Sequence, residues 1–416
     1  MRFGAPFFAL LIAALCYSVV PGGAQGRGQQ PVNLPDGPGK ELVSTTCAKC
    51  HGLNFITNSQ GNNRENWEAL MASMVALPND QQAQISGYLA QHFPVKPNAI
   101  KPVVVNGPVN MRVREWAIPT LGSRPHDAHA GRDGSIWWTG QFAMRLGRVD
   151  PKTGAIKEFP TGKATPHGLD EDRDGNIWYT GININVIGKL DPRTGQYTEY
   201  PMPIPEARGP HTPIFDQKGI LWFTLQSGHV GRLDPATGQV RIQKTPTDGT
   251  YPYGIQINSK GVPWYVDFRG PRLGSVDPVT MQITEYTLPN ADARPRRIEI
   301  TPDDVIWYTD FPRGYIGRYD PATKQTKEWL SPSGLQSAPY AIAAVGNVLY
   351  YNESGPRPNT LVRFDTRTEE FQSVIVPSGG IVLRHFMADA NGNIVLASSG
   401  INKVGLLEIS NSPRTQ

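Results

Sequence analysis

Residues 166–192 read PHGLDEDRDGNIWYTGININVIGKLDP and contain the pattern that decides the fold. The run Ile177-Trp178-Tyr179-Thr180 is typical of a β-strand, and the Asp-Gly and Asp-Pro-x-Thr-Gly sequences beside such runs are typical of tight turns. Variants of Ile-Gly-Lys-Leu-Asp-Pro recur 41 to 45 residues apart, beginning at Leu146, Ile187, Val230, Leu273, Ile316, Leu361 and Val404. A repeat of this length is typical of a four-stranded propeller blade, so the sequence predicts a mainly β protein containing a seven-bladed β-propeller over residues 109–409.

The ring also has a predicted closure. Residues 113–119, VREWAIP, match the fourth strand of the repeat, but they precede any first strand. The last repeat, ending at residue 409, has no fourth strand of its own. We therefore expect the amino-terminal strand to complete the seventh blade, which would leave no open sheet edges.

The beginning of the chain is typical of an exported protein. Residues 1–24 contain one early Arg2, an apolar run over 7–20 and then Gly-Gly-Ala, which predicts a cleaved secretory signal peptide. An uncleaved anchor is the alternative. We expect a periplasmic or secreted monomer with no membrane span after cleavage. The net charge of +4 is too small to indicate a nucleic-acid partner.

Two of the three cysteines form a haem-attachment motif. Cys16 lies in the predicted signal, and Cys47-Ala48-Lys49-Cys50-His51 is the C-x-x-C-H sequence of covalent c-type haem. Each thiol would form a thioether to the porphyrin, and His51 would bind the iron. A redox dithiol or half of a zinc site is the alternative, but no second Cys or His pair lies nearby.

The surrounding residues, with predicted helices from about 39 into the motif and over 66–74 and 80–93, resemble a small all-α class I cytochrome c domain over residues 38–94. The resemblance implies a distal methionine, for which Met74 is the first candidate, Met71 the second and His92 the third. Residues 95–108 form a Pro-rich linker to the propeller.

The repeats also predict a site at one mouth of the ring. The residue after the proline that opens each first strand, and the residue 14 positions later, should share this mouth. The first set is His126, His167, His211, Tyr253, Arg296, Tyr340 and Arg384, and the second is Gly140, Gly181, Leu225, Asp267, Asp310, Glu353 and Ser398. We expect a small molecule or a redox partner protein to bind here.

Two further interpretations of these residues remain open. Asp267, Asp310 and Glu353 could hold a divalent metal such as magnesium, or Arg296 and Asp310 could form a structural ion pair. The aromatic residues Trp138, Trp178, Trp222, Trp264 and Trp307 are most simply explained as packing between blades.

The repeated PHG, DGNIWYT and IGKLDPRTGQYTEY sequences resemble the virginiamycin B lyase (streptogramin lyase) family over residues 109–409. That resemblance implies a Glu, a His two residues on and a second Glu 14 after the His, which together bind magnesium and open a cyclic depsipeptide by C–O elimination. No blade has this set: His126 accompanies Arg124 and Gly140, His167 accompanies Thr165 and Gly181, and His211 accompanies Gly209 and Leu225.

Three functions follow as hypotheses. The first is an exported cytochrome that transfers electrons through covalent haem c while the propeller binds a small molecule or a redox partner. The second is a divergent C–O lyase or hydrolase on the propeller. The third is a haem-based sensor on a binding scaffold. The sequence favours the first.

Overall fold

The computed structural model describes residues 32–49 and 52–411, which form a helical unit followed by a β-propeller. The helices are α1 Lys40–Cys47, α2 Asn54–Thr57, α3 Arg64–Ala72 and α4 Asn79–His92. The three predicted helices are confirmed, with ends within two residues of those expected. No described helix combines the length and the apolarity that crossing a bilayer needs.

The helical unit has its own small core. Val43, Trp67, Ile85 and Tyr88 are buried together, and the Trp67 indole donates to the carbonyl of Phe93 at 3.1 Å. Four helices around an apolar core do not by themselves define a cytochrome c domain, so that part of the prediction stays a prediction.

Within the described residues, the strands form seven four-stranded antiparallel sheets. Blades 1 and 2 contain β2 Pro125–Ala130, β3 Ile136–Gly140, β4 Arg145–Val149, β5 Ile156–Pro160, β6 Pro166–Glu171, β7 Ile177–Gly181, β8 Val186–Leu190 and β9 Tyr197–Pro201. Blades 3 and 4 contain β10 Pro210–Phe215, β11 Leu221–Leu225, β12 His229–Asp234, β13 Gln239–Lys244, β14 Pro252–Ile257, β15 Pro263–Asp267, β16 Arg272–Val276 and β17 Ile283–Thr287. Blades 5 and 6 contain β18 Pro295–Ile300, β19 Ile306–Asp310, β20 Tyr315–Tyr319, β21 Thr326–Leu330, β22 Pro339–Val345, β23 Val348–Glu353, β24 Thr360–Asp365 and β25 Phe371–Ile375. Blade 7 contains β26 Leu383–Ala388, β27 Ile394–Ser398, β28 Lys403–Asn411 and β1 Val109–Ala117.

The seven-bladed ring and its closure are confirmed. Strand β1 pairs with β28 from Val109 opposite Asn411 to Ala117 opposite Lys403. The strand begins four residues before the expected stretch, because its pairing with β28 continues beyond the repeat motif. Blade 7 thereby has four strands like the other blades, with β28 paired on both sides.

The repeated glycine of the Ile-Gly-Lys-Leu motif is explained by a close contact with an aromatic ring in blades 1 to 5. A Cβ atom on Gly188 would lie 2.0 Å from the Tyr179 ring, and one on Gly147 would lie 2.0 Å from the Trp138 ring. The aromatic side chain of the second strand lies against the third strand, so only glycine fits beneath it.

The predicted aromatic packing between blades is present. Trp178 is buried in a cluster with Leu221 and Phe223 of the next blade. In blade 1 the residue in this register is Trp137, which packs with Ile177 of blade 2. Trp138 itself stands in the register of Tyr179 and is buried with Val395 and Ala397 of blade 7, so its predicted packing between blades is confirmed.

The helical unit packs against the end of the propeller at which the first strands begin. The backbone N–H of Gly122 donates to the Ser73 carbonyl at 3.0 Å, and the Gln60 amide donates to the Gly355 carbonyl at 3.0 Å. Gly122 lies in the loop that leads into β2, and Gly355 lies in the loop between β23 and β24. Both loops belong to the mouth defined by the sequence pattern.

The linker also lies on the propeller. Ser373 in β25 donates its backbone N–H to the Val105 carbonyl at 2.8 Å, and the Val103 N–H donates to the Ser333 hydroxyl at 3.2 Å. These bonds hold residues 103–105 along blade 6, so this part of the Pro-rich segment is anchored to the propeller surface.

Candidate functional site

A repeated irregularity places the mouth residues. In every blade the pairing of the first two strands shifts register directly after the first pair, as between Pro125 and Ala128 or Pro166 and Leu169. Such a β-bulge re-aims the side chains within it. The predicted mouth residues therefore come together around the ring axis.

Threonines of the second strands fix these bulges between neighbouring blades. The Thr139 hydroxyl accepts from the Asp127 N–H at 3.0 Å and donates to the His167 carbonyl at 2.8 Å. Thr180 and Thr224 donate in the same way to the carbonyls of His211 and Tyr253, at 2.8 and 2.6 Å. His167, His211 and Tyr253 are thus each held by a threonine of the blade before them.

Blades 1 to 4 contribute a continuous arc of rings. The ring centroids of His126 and His167 are 3.6 Å apart, those of His167 and His211 are 4.0 Å apart, and those of His211 and Tyr253 are 3.8 Å apart. The hydroxyl oxygens of Tyr253 and Tyr340 lie 2.5 Å apart, which extends the arc to blade 6.

The histidines of this arc are held neutral. Burial, followed by the charges of neighbouring arginines and histidines, lowers the pKa of His126, His167 and His211 well below 6.5. Nδ1 of His167 and Nε2 of His211 are buried and have no hydrogen-bond partner in the part of the chain that the structure describes. A neutral imidazole has one donor and one acceptor nitrogen, so these rings can exchange protons.

The remaining first-set residues are cationic. The Arg296 guanidinium lies 3.7 Å from the Tyr340 ring centroid and 4.2 Å from that of Phe311. Arg384 donates through Nε to the Ser399 hydroxyl at 2.8 Å. Burial opposes ionisation of Tyr340, but the nearby Arg296, Arg384 and Arg297 outweigh it and lower its pKa to about 8.

Sequence reasoning missed a second set of side chains around the propeller axis. These residues lie one position after the first-set residues in the first strands. Asp127 lies 2.8 Å from His126 Nδ1 and accepts from Arg297 at 2.8 Å. Arg297 also donates to the Thr212 hydroxyl at 3.0 Å, and His385, at the same position in blade 7, is half-buried with Nδ1 2.9 Å from the Ala128 carbonyl. Strict strand alternation would turn these side chains away from the mouth, so the repeated bulge was the signal that could have found them.

The second-set residues are uncharged in some blades and acidic in others. Gly140, Gly181, Leu225 and Ser398 are buried and bear no charge. The acids accept hydrogen bonds from residues close to them. Asp267 accepts from the Tyr251 N–H and from Arg272, at 2.8 and 3.1 Å. Glu353 accepts from Ser331, Ser333 and Thr360 at 2.5 to 2.8 Å.

Asp310 accepts from Arg313 at 2.8 Å. The interpretation that paired Asp310 with Arg296 was therefore wrong, because Arg313, three residues along the same loop, reaches this carboxylate instead.

The described residues do not fit the magnesium site that the resemblance implied. Their one group with clustered ligand atoms is His126, Asp127 and His167, whose donor atoms lie within 4.8 Å of one another. The Asp127 carboxylate is already paired with Arg297, whose positive charge opposes a second cation. Asp267, Asp310 and Glu353 are not among the clustered ligands.

The haem-binding prediction is only partly covered by the described residues, because Cys50 and His51 lie outside them. Cys47 ends α1 and is half-buried. Met71 is 7% exposed and belongs to the helical core, whereas Met74 is 36% exposed. A Cβ on Gly122 would lie 2.8 Å from the Met74 carbonyl, so Met74 lies beside the propeller mouth. His92 contacts Tyr88 with a tilted ring, and the ring centroids are 4.5 Å apart.

A polar groove of about 530 Å³ lies at the other end of blade 2, lined by turn residues such as Asp174, Asp191 and Arg193. Its side chains belong to turns that repeat around the ring. The mouth differs from it, because there buried titratable groups from all blades converge.

The fold and this site define a seven-bladed β-propeller with one convergent polar mouth. The profile of the virginiamycin B lyase family matches residues 95–355. This is more than half of the chain, which therefore belongs to the virginiamycin B lyase family. The matched residues exclude the four helices.

Solved structures agree with the fold. The chain is 26% identical to a streptogramin B lyase, with a TM-score of 0.66, covering 72% of this chain and 98% of that one. A catalytically inactive histidine variant of Staphylococcus aureus virginiamycin B lyase, solved with quinupristin, is 23% identical, with a TM-score of 0.65 and coverages of 72% and 99%. Kuenenia stuttgartiensis hydrazine synthase shares only the fold, at 12% identity, a TM-score of 0.58 and coverages of 71% and 97%. No curated protein matches the chain.

Proposed function

We propose that the propeller mouth catalyses proton transfer on a small ester-bearing molecule, as a divergent C–O lyase. The observation that carries this proposal is the convergence of neutral His167 and His211 with the arginines of the opposite blades. His211 would take the proton next to the carbonyl, and the guanidinium groups would stabilise negative charge on the carbonyl oxygen. The C–O bond then breaks, and the leaving oxygen keeps the electron pair and takes a proton.

This reaction would not use the family's metal. The Glu-His-Glu set is absent from every blade, and Arg296 and Arg384 supply positive charge in the mouth. Fixed cations placed where negative charge develops can do the electrostatic work of a metal ion. We therefore expect turnover to persist when divalent metals are removed.

The experiment is chromatography with mass spectrometry of a cyclic depsipeptide, quinupristin, incubated with the full chain and EDTA. Elimination gives a linear product of unchanged mass, whereas hydrolysis adds one water. His211→Ala should lower the rate at least 100-fold, on the scale of a lost general base. The exposed Arg193→Gln variant serves as the control. An intact ring in every reaction, or turnover only with magnesium, would contradict the proposal.

A second candidate function is electron transfer through haem c held by Cys47, Cys50 and His51, with Met74 as the distal ligand. Two observations favour it: the C-x-x-C-H motif, and the packing of Ser73 against Gly122 at the mouth. Phe55, Met74 and Val75 are large apolar side chains that the helices leave exposed, which suits a covering porphyrin. The haem would supply one-electron chemistry beside a bound molecule or a redox partner.

Spectra of protein exported to the periplasm test this candidate. Oxidised and reduced spectra should show a low-spin haem, and Met74→Ala should convert it to a form that binds CO readily. Loss of colour in Cys47→Ala would support covalent attachment. A colourless product from a host with cytochrome maturation would contradict it, and CO binding to the unaltered protein would favour the haem-based sensor instead.

A further inference from the structure

Among the residues that the structure describes, three arginines at the mouth have no carboxylate partner. Arg124 donates to the Gln141 amide oxygen at 2.8 Å, Arg384 to the Ser399 hydroxyl, and Arg296 reaches the Tyr253 hydroxyl at 3.4 Å. In the described ranges, no salt bridge joins any of them to an acid. Arg297, deeper in the mouth, differs because Asp127 pairs with it.

Arg296 and Arg384 both approach the Tyr340 ring, at 3.7 and 5.9 Å from its centroid. Arg124 and Arg384 are close enough for their charges to repel each other. Burial and the charge of Arg384 lower the pKa of Arg124 to about 9. Buried positive charges without counter-charges are costly, and removing that cost requires an anion. The histidines beside them are neutral, and Tyr340, whose pKa is about 8, is mostly protonated at pH 7, so neither supplies a full counter-charge.

The aromatic surroundings fix how Arg296 presents its N–H groups. Its guanidinium packs on Tyr340 and Phe311 and lies 4.6 Å from the Phe268 ring centroid. Stacking on rings uses the flat faces of guanidinium, which leaves its edges for hydrogen bonds. Arg296 Nε is buried and has no partner among the residues that the structure describes.

The same aromatic groups favour one class of anion. Phe142 packs under Arg124 at 4.5 Å, and Phe268 and Phe311 line the mouth near Arg296, so the walls around these cations are apolar. A carboxylate on an apolar carbon skeleton suits both the walls and the forked donors. A strongly hydrated phosphate would lose water to rings that cannot replace it.

We propose that Arg124, Arg296 and Arg384 bind the carboxylate of a small apolar acid in the propeller mouth. This inference rests on the proposed function in placing the ligand at the mouth, and it adds the charge and class of that ligand. Binding requires no turnover, so the two proposals can fail separately. Carboxylate binding without ring opening would leave this one standing.

The test is calorimetric titration of the full chain with benzoate, in parallel with the neutral isostere benzamide and with inorganic phosphate. We expect saturable benzoate binding and a higher Tm with benzoate, and no binding of benzamide or phosphate. Arg384→Gln and Arg296→Gln should each weaken benzoate binding at least 10-fold. Arg193→Gln, which changes an exposed guanidinium at the other end of blade 2, should not.

Circular dichroism shows which variants fold, and Arg384→Gln tests the proposal alone if Arg296→Gln does not. Equal benzoate affinity in the folded arginine variants would overturn the assignment, as would the absence of benzoate binding. Tighter binding of phosphate than of benzoate would also overturn it, by showing a different oxyanion class.

Discussion

The two halves of the mouth are built alike and are chemically opposite. Blades 1 to 3 present neutral histidines whose rings are in contact and are backed by Gly140, Gly181 and Leu225, whereas blades 4 to 6 present tyrosines and Arg296 backed by acids. The bulge at the start of the first strand is the same in both. The repeat therefore fixes position, while the residue at each position sets the charge: neutral imidazoles in one half, and tyrosines with Arg296 in the other, where Arg384 of blade 7 also approaches Tyr340.

The largest expected effect is on the acids behind the charged half. Glu353→Ala should lower the free energy of unfolding by about 3 kcal/mol or more, because several buried donors lose their acceptor. Ser398→Ala, at the equivalent position of blade 7, should cost much less, since Ser398 Oγ has no partner among the described residues. Urea unfolding measures both. If Glu353→Ala lowered the free energy of unfolding no more than Ser398→Ala does, the acid would not have this structural role.

The next effect is the pH dependence of the histidine half. The folded state holds His167 neutral, with its pKa well below 6.5, so the unfolded chain binds more protons in acid. Stability therefore falls as the pH decreases below about 6.5, by about 1.4 kcal/mol per pH unit for each such histidine. His167→Gln should remove the contribution of one histidine. Urea unfolding at pH 7 and pH 5.5 measures the slope, and identical slopes in both proteins would mean that His167 is not held neutral.

Glu299 changes the pH dependence of stability in the opposite direction, so the unaltered protein must be compared with His167→Gln. Burial raises its pKa to about 7, so the folded state binds this proton more tightly than the unfolded chain does. Its contribution to stability is present in acid and is lost as the pH rises towards 7. Only the difference between the unaltered protein and His167→Gln isolates the histidine.

The smallest expected effect is on the ionisation of Tyr340. Arg384→Gln removes one of the charges that overcome burial, so the Tyr340 pKa should rise from about 8 by about one unit. Tyrosinate absorbance during a pH titration measures it, with Tyr340→Phe identifying the signal among 15 tyrosines. An unchanged titration in Arg384→Gln would mean that Arg384 does not act on this ring.

The ring of blades was predictable because its information is local and repeated. Turn residues, strand runs and the glycine beneath Tyr179 recur in nearly every repeat. The stretch before the first repeat matches a fourth strand, and this match predicted how the propeller ring closes. The first-set residues were found because the opening proline marks one place in the fold. Arg384 was found in the same register, although Leu383 replaces the proline there.

The rest depended on geometry that a linear pattern does not contain. Asp127 and Arg297 face the mouth because of a bulge, and they pair across 170 positions of sequence. The loop after Asp310 brings Arg313, and not Arg296, to the Asp310 carboxylate. The contact of the helical unit with the mouth involves isolated groups, the Ser73 and Gly122 backbones and the Gln60 amide, which have no sequence signature.

The central claim is that the chain acts through the propeller mouth. The most direct measurement compares quinupristin ring opening by the unaltered protein, by His211→Ala and by Cys47→Ala, each checked for folding. The account predicts that His211→Ala abolishes ring opening and that Cys47→Ala retains it. Loss of ring opening in Cys47→Ala with full activity in His211→Ala would contradict the claim and would move the reaction to the helical unit.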